Sequence, residues 1–327
     1  MLLEQITIVP LAAESLGVRS MCTFVETSDV KILLDAGVSL APNRNGFPPH
    51  PKEYEAIRRC REKISRAADE AEVVTLSHYH FDHHTPSYQD WCYNWSSRDV
   101  AKRIYKGKTV FVKNFRSMIN FSQRRRGWLF KKTGGKHAER LEIADGKTFE
   151  FGDTRLKFSE PVFHGSENSE LGWLLMLTIE HSREKVLFAS DVQGPMCNPT
   201  LGTILAERPQ LVIMGGPPIY LSGFRVREEH VRQGMQNLES LAKNVPTTIL
   251  EHHILREEKW REFSQPIFDA ASKTGHSVVT AAEFLGEENN LLEFRRDHLF
   301  KVEPPSSEFE RWMKLPRPER KLVRPPI

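Results

Sequence analysis

The chain has few cysteines, no long apolar run and no internal repeat. Its four cysteines are Cys22, Cys60, Cys92 and Cys197. They form no CxxC pair, which favours reduced core thiols over a disulfide framework or a thiolate metal site. No apolar run approaches the roughly 20 residues that a membrane span needs. The first ten residues contain Glu4 and show no signal-peptide pattern. These features predict a cytoplasmic protein that does not enter a membrane.

The composition is that of an ordinary globular protein. Of 327 residues, 39% are hydrophobic and 27% are charged, with a net charge of +3. This charge is too small to indicate a nucleic-acid partner by itself. No linker is evident before residue 300, so we expect one domain over 1–300, with a basic insertion at about 114–140. A Pro- and Arg-rich extension covers 301–327, and its last part, Pro316–Ile327, is expected to be disordered.

Short β-rich runs alternate with helical patterns, as in an α/β protein. The predicted strands are Ile6–Val9, Met21–Glu26, Lys31–Leu34, Val73–Leu76, Thr109–Lys113, Phe149–Phe151, Arg155–Phe158, Trp173–Ile179, Val186–Ala189, Leu211–Met214 and Thr247–Leu250. The predicted helices are Glu53–Ala71, Trp91–Ile104, Arg227–Lys243, Glu257–Lys273 and Ala281–His298.

The segment His78-Tyr79-His80-Phe81-Asp82-His83-His84 follows the apolar strand Val73–Leu76. Imidazole nitrogens and carboxylate oxygens are ligands that zinc and similar divalent metals prefer. Two histidines two residues apart can reach one ion, and the Asp and His that follow can reach a second. A histidine tract can also be a solvated loop or a metal-scavenging segment. The internal Asp and the buried strand before the tract favour a metal site.

Three further candidates, His164, Asp191 and His252, each lie at or just past the end of a predicted strand. Side chains on loops at one sheet edge can converge on one site. Each alone has an ordinary alternative, because a lone His is more often a hydrogen-bonded structural residue and Asp after a strand is a common turn former. His253 is as good a candidate as its neighbour on residue type alone.

The order of these residues resembles the metallo-β-lactamase superfamily. Matching motifs are Asp35-Ala36-Gly37, Phe188-Ala189-Ser190-Asp191 and Leu250-Glu251-His252. The resemblance implies a four-layer αββα sandwich with a dinuclear site at one edge. By the same resemblance, one metal would be held by His78, His80 and His164, the other by Asp82, His83 and His252, with Asp191 bridging them. His84 would orient a ligand from outside the coordination sphere.

A dinuclear site of this kind predicts hydrolysis. Two divalent ions that share an Asp and a solvent molecule lower the pKa of that water and hold a bridging hydroxide nucleophile. Asp82 is a candidate to pass a proton to the leaving group. Family members with a di-iron redox centre typically have Glu where this chain has His80. Zinc is therefore the expected metal, although Mn²⁺, Fe²⁺ and Ni²⁺ fit the same ligands.

The substrate prediction depends on basic residues. Arg124, Arg125 and Arg126, with Arg256 after the last ligand, are predicted to bind phosphate on a phosphodiester, RNA, DNA or a phosphorylated metabolite. The alternative for the basic segment is a solvated insertion. Two other functions stay open: a lactone or thioester hydrolase of an anionic small molecule, and a non-catalytic, metal-stabilised nucleic-acid-binding protein. A homo-oligomer is compatible with the sequence.

Within the superfamily, the chain resembles an uncharacterised, largely archaeal branch. The residues that carry this likeness are 34–42, Leu-Asp-Ala-Gly-Val-Ser-Leu-Ala-Pro, and 122–127, Ser-Gln-Arg-Arg-Arg-Gly. A weaker resemblance to the tRNA 3′-processing branch, RNase Z, depends on the position of Arg256 after the terminal histidine. The resemblance implies a fold and a metal site but no particular substrate.

Overall fold

The computed structural model describes residues 3–167 and 169–327 and contains two large β-sheets. The first sheet has six strands in sequence order: β1 Thr7–Ala13, β2 Met21–Glu26, β3 Lys31–Leu34, β4 Val73–Leu76, β5 Thr109–Val112 and β6 Arg140–Ile143. Strands β1 to β3 are antiparallel, and β3 to β6 are parallel. All four residues of β4 are buried, which explains why this strand is apolar without alternation.

The second sheet has seven strands, in the order β15-β14-β13-β12-β11-β8-β7. Its strands are β7 Thr148–Phe151, β8 Thr154–Phe158, β11 Leu177–His181, β12 Glu184–Ser190, β13 Leu211–Gly215, β14 Thr247–Glu251 and β15 Ser277–Val279. A separate hairpin is formed by β9 Val162–Phe163 and β10 Trp173–Leu174. Strands β12 to β15 are parallel, so β12, β13 and β14 all end at one edge.

Aromatic side chains join the two sheets face to face. Phe111 of β5 stacks on Phe149 of β7, with ring centroids 4.0 Å apart, and lies 5.5 Å from Phe158 of β8. All three belong to or pack against one apolar core shared by both sheets. Aromatic pairs at such distances are stabilising beyond the area that they bury.

Helices cover the outer faces of both sheets. In the part of the chain that the structure describes, the α-helices are α1 Pro51–Glu70, α2 Arg98–Tyr105, α3 Phe121–Lys132, α4 Asn198–Glu207, α5 Glu228–Asn244, α6 Trp260–Thr274, α7 Ala281–Phe284, α8 Arg296–Val302, α9 Ser307–Met313 and α10 Arg317–Arg320. Helix α1 contacts α2, β1 and β3 of the first sheet. A second core lies between the other sheet and the helices α5 and α6. The predicted four-layer αββα order is confirmed. Among the described residues, no helix is both long and apolar enough to cross a membrane.

The helices differ from the prediction at several places, and neither α3 nor α4 was predicted. The basic segment contains α3, which begins at the N-cap Asn120 and buries only Gln123, Gly127 and Phe130, so its apolar periodicity is too weak to mark a helix. Helix α2 begins at Arg98, after the N-cap of Ser97, and not at Trp91. The predicted helix Ala281–His298 is two helices, because Gly286 adopts a left-handed φ of 73° just after α7.

The C-terminal extension is ordered and packed, contrary to the expectation of disorder. Phe309 and Trp312 of α9 are buried, and Trp312 meets the ring of Tyr54 at 5.3 Å. The backbone of Lys321 accepts a hydrogen bond of 3.0 Å from the Trp91 amide. Two aromatic anchors separated by charged residues make no recognisable periodic pattern, which explains why the sequence suggested an extended tail.

Candidate metal centre

Loops that follow strands of both sheets bring the predicted ligands together. The histidine-rich loop follows β4, Asp191 follows β12, and His252 follows β14. His164 follows β9 and is held by its amide, which donates to Gly172 O at 2.9 Å. Strand ends are rigid supports, so they position these side chains better than a mobile loop would.

The first cluster contains His78, His80 and His164, whose ligand atoms all lie within 4.8 Å of one another. His78 Nε2 lies 3.2 Å from His80 Nδ1. Burial lowers the pKa of His78 and His80 well below the ordinary value, and the neighbouring imidazoles lower it further. Both rings are therefore neutral at pH 7 and can offer lone pairs to a cation.

The second cluster contains Asp82, His83 and His252. Burial raises the pKa of Asp82, but the imidazoles of His83 and His252 lower it more, so Asp82 is a carboxylate. Burial lowers the pKa of His252, but Asp191 raises it, and the result is about 9. The neighbouring carboxylates thus favour a positive charge at His252, and the same negative potential would favour a metal cation there.

Asp191 lies between the two clusters. Its Oδ2 is 2.6 Å from His164 Nε2 and 3.5 Å from His252 Nε2. The carboxylate has room only because β13 ends in glycine: a Cβ added to Gly215 would lie 2.8 Å from Asp191 Oδ1. One carboxylate therefore reaches ligands of both clusters.

Unpaired polar atoms test whether these residues fit a metal. Among the residues that the structure describes, His83 Nε2, His164 Nδ1 and Asp191 Oδ1 are buried without a hydrogen-bond partner. A buried polar atom without a partner costs about 1–3 kcal/mol. Three such atoms in one cluster of imidazoles and carboxylates are expected where a divalent ion supplies the missing partner. The residues present fit a metal centre.

The geometry distinguishes the two adjacent histidines. His252 is fully buried, and its Nε2 is 3.5 Å from Oδ2 of Asp82 as well as from Asp191. His253 belongs only to the group around Asp191, with its Nε2 3.2 Å from Oδ2. Only His252 therefore faces both carboxylates. Its backbone has a φ of 65°, a left-handed conformation that is rare outside glycine.

A buried carboxylate, Asp35, orients one of the candidate ligand histidines. Asp35 Oδ2 lies 2.9 Å from His83 Nδ1 and also accepts from Ser77 and Ser190 hydroxyls. Such a partner fixes the ring and the tautomer, leaving His83 Nε2 to face the cluster. This explains the Asp of the Asp35-Ala36-Gly37 motif.

Glu14 was missed by the sequence analysis. It lies in the turn after β1, is 4% exposed, and its Oε2 is 3.5 Å from His252 Nδ1. Arg256 donates to the same oxygen at 3.0 Å. An acid buried directly after an apolar strand was the available signal. Arg256, predicted to bind substrate, is thus already paired with a carboxylate beside the last histidine.

A pocket of about 550 Å³ opens onto the centre. Arg126 and Arg256 line it, whereas Arg124 and Arg125 line a separate groove of about 420 Å³ beside Trp128. The four predicted arginines therefore divide into two pairs. His84 lies outside the ligand clusters, buried with its Nδ1 2.9 Å from His80 O. Burial lowers its pKa to about 4.

Two facing sheets between helical layers, with an imidazole and carboxylate cluster at one edge, define a metallo-β-lactamase fold. A mutant of the β-hydroxylase CmlA superposes with a TM-score of 0.51 at 14% identity, covering 86% of this chain and 53% of that chain. The short form of human tRNase Z gives a TM-score of 0.44 at 12% identity, covering 76% of this chain and 92% of that chain. No family model matches the chain.

Sequence relatives identify the family. A UPF0282 protein of Methanopyrus kandleri is 44% identical over 292 residues, 89% of this chain and 98% of the relative. A UPF0282 protein of Methanocaldococcus jannaschii is 41% identical over 293 residues, 89% of this chain and 96% of the relative. The chain belongs to the UPF0282 family, which confirms the predicted archaeal branch.

Proposed function

We propose that this protein is a metal-dependent hydrolase with a dinuclear centre that acts on a phosphate-bearing substrate. The observation that carries the proposal is the pair of ligand clusters around Asp191, with buried atoms that lack partners, at the base of an open pocket. A metal retained for structure alone is normally closed by four protein ligands, whereas a catalytic metal keeps a position open to the pocket.

The ligands that we propose are those of the two clusters. His78, His80 and His164 would hold one ion, Asp82, His83 and His252 the other, and Asp191 both. Nitrogen and oxygen donors without thiolate suit Zn²⁺, and the same set accepts Mn²⁺, Fe²⁺ or Ni²⁺. When bound, two such ions would supply an activated water and polarise the oxygen of the scissile group.

Residues of the chain complete the proposed reaction. Asp82 is an ionised carboxylate whose side chain is 18% exposed to the pocket, so it can take a proton from water and return it to a leaving group. Arg126 is half-buried in the pocket wall and has no carboxylate within 4.0 Å among the described residues. A guanidinium placed in this way can bind a phosphate oxygen pair. Arg124 and Arg125 would contact only a longer substrate that reaches the outer groove.

A lactone or thioester hydrolase is the second candidate. Leu221, Pro218 and Val226 line one side of the same pocket and could accommodate an acyl chain. In that reading Arg126 would bind an anionic tail of the substrate. The four free, buried thiols are compatible with the cytoplasmic location that we propose.

Turnover of bis(p-nitrophenyl) phosphate and of a lactone panel tests the proposal. We expect diester hydrolysis that is lost in His78→Ala, while the variant remains folded. Arg126→Ala should raise KM for the diester about tenfold or more, because it removes a charged hydrogen bond of about 1.5–3 kcal/mol. Arg124→Ala is the matched control and should leave KM unchanged. Lactone turnover alone would favour the second candidate, and neither activity with a metal-loaded protein would contradict both.

A further inference from the structure

One wall of the pocket is built from three cations, each placed over an aromatic ring. Arg126 lies 4.6 Å from the ring centroid of Phe81, Arg317 lies 5.4 Å from that of Tyr93, and Lys321 lies 5.8 Å from that of Tyr88. All six side chains line the same pocket as the candidate ligands. They come from three parts of the chain: helix α3, the loop from β4 to α2, and the C-terminal extension.

Two of these cations are available to an anion. Among residues 3–167 and 169–327, neither Arg126 nor Arg317 has a carboxylate within 4.0 Å, whereas Lys321 pairs with Asp90 at 2.8 Å. Their placement over aromatic rings leaves the guanidinium charges in place. A substrate that carries an anionic group would thus meet two guanidinium groups without an ion-pair partner, beside aromatic rings.

The C-terminal extension is a fixed part of this wall. Gln89 Nε2 donates to Leu322 O at 2.9 Å, and Trp312 Nε1 donates to Val323 O at 3.0 Å. The first bond anchors the segment after α10 to the loop that carries Tyr88 and Tyr93, and the second joins the same segment to α9. Arg317 and Lys321 are therefore held at the pocket and do not depend on a ligand to bring them there.

We propose that this wall is a nucleotide-binding platform, on which a base stacks while its phosphate is bound by Arg126 and Arg317. Bases stack on aromatic rings and on guanidinium planes, and phosphate oxygens accept hydrogen bonds from arginine. Phe81 and Arg126 line the same pocket as His80 and Asp82, so a phosphate bound by Arg126 would lie in the pocket of the candidate metal centre. This inference rests on the proposed function and narrows its substrate to a nucleotidyl phosphodiester.

An acidic peptide or a phosphorylated sugar would use the charges but not the stacking faces. Three ring–cation pairs on one wall are more than an isolated phosphate requires, since one bidentate arginine suffices for that group. The pocket, at about 550 Å³, lies within the roughly 300–1,000 Å³ range of small-ligand sites and has room for one nucleotide. Binding of the base therefore distinguishes a nucleotide from an acidic peptide or a phosphorylated sugar.

Binding of adenosine 5′-monophosphate and ribose 5-phosphate to the full-length, metal-loaded protein tests the platform, because the two probes share the phosphate and differ in the base. We expect the nucleotide to bind about tenfold tighter, as one stacked base provides. Tyr93→Leu should remove most of this preference, because any loss of support for Arg317 weakens both probes alike, whereas the loss of the stacking face weakens only the nucleotide. Arg317→Gln should weaken both probes, and Arg311→Gln, at an exposed position of α9, should change neither. Melting temperatures confirm that each variant is folded.

Equal affinity for the two probes, or a preference that survives Tyr93→Leu, would overturn the inference. If bis(p-nitrophenyl) phosphate is still hydrolysed in that case, the proposed function stands and only the nucleotide platform falls. A single-stranded RNA of about ten nucleotides identifies the source of the nucleotide. Binding much tighter than the mononucleotide would indicate a nucleic-acid strand, and equal binding would indicate a free nucleotide; both support the platform.

Discussion

Replacement of Gly37 by alanine tests how the Asp35-Ala36-Gly37 motif supports the histidine-rich loop that follows β4. A Cβ on Gly37 would lie 2.3 Å from the amide nitrogen of His84 and 2.4 Å from that of His83. Both nitrogens belong to the backbone of the histidine-rich loop, so the clash cannot be relieved by the movement of a flexible side chain. Gly37 is thus required for close packing and not for an unusual backbone conformation.

The magnitude follows from these distances. Carbon contacts are comfortable at about 3.5–4.0 Å, so the loop and the motif must separate by about 1 Å. Metal ligands are positioned to within about 0.2 Å, and such a shift should lower metal affinity by more than tenfold. Overpacking typically costs about 1–3 kcal/mol, and we expect the upper end because the contacts are with backbone. At about 2–4 °C per kcal/mol, the melting temperature should fall by at least 5 °C.

The assay is metal content after reconstitution, with a thermal melt of each variant. Gly202→Ala is the matched control, because Gly202 lies within helix α4 and no heavy atom lies within 4 Å of its added Cβ. The free energy of unfolding of that variant should rise by about 0.5–1 kcal/mol, and the variant should keep its metal. If Gly37→Ala binds metal normally and melts within one or two degrees of wild type, the packing argument is wrong.

Two further predictions concern buried carboxylates. Asp35→Asn should lower metal affinity about 10–100-fold, because His83 loses the acceptor that orients its ring; competition with a chelator measures it, and unchanged affinity would contradict the role of Asp35. Glu293→Gln should lower the free energy of unfolding by about 2–3 kcal/mol at pH 7. This loss is smaller than for a fully buried ion pair, because the Arg19 side chain is 25% exposed. Burial raises the pKa of Glu293, but Arg19 lowers it more, so the net pKa is below the ordinary value. The stabilisation is therefore full above about pH 4.3 and is lost as the pH falls further. Unfolding of wild type and variant at several pH values checks this, and a constant difference down to pH 2 would refute it.

The candidate ligands were predictable because each is local to a strong pattern. His78 and His80 follow a fully buried strand, and Asp191 and His252 each follow a strand that is buried at all but one position. Parallel strands end at one edge, so a residue just past each strand is placed by topology alone. The structure adds one difference between the two adjacent histidines, since only His252 lies near both Asp82 and Asp191.

The surroundings of the site were not predictable because they depend on contacts between distant residues. Glu14 meets Arg256 across 242 positions of the chain, and nothing near either residue indicates the other. Arg317 and Lys321 reach the pocket only because the aromatic anchors of α9 bury the extension. These anchors form no periodic pattern, so the sequence suggested disorder there.

The run of three arginines shows a second limit. Successive residues of a helix point about 100° apart, so three consecutive side chains of α3 cannot all face one target. Arg126 lines the metal pocket, whereas Arg124 and Arg125 line the outer groove. A composition-based reading treated the three as one cluster, because the helix was hidden by its weak apolar pattern.

The number of divalent ions bound per chain tests the central claim most directly. Elemental analysis of the purified, reconstituted protein should find about two ions per chain, with Asp191→Ala reducing the occupancy of both positions. A protein that takes up no metal after reconstitution, or that keeps two ions in Asp191→Ala, would contradict the dinuclear centre.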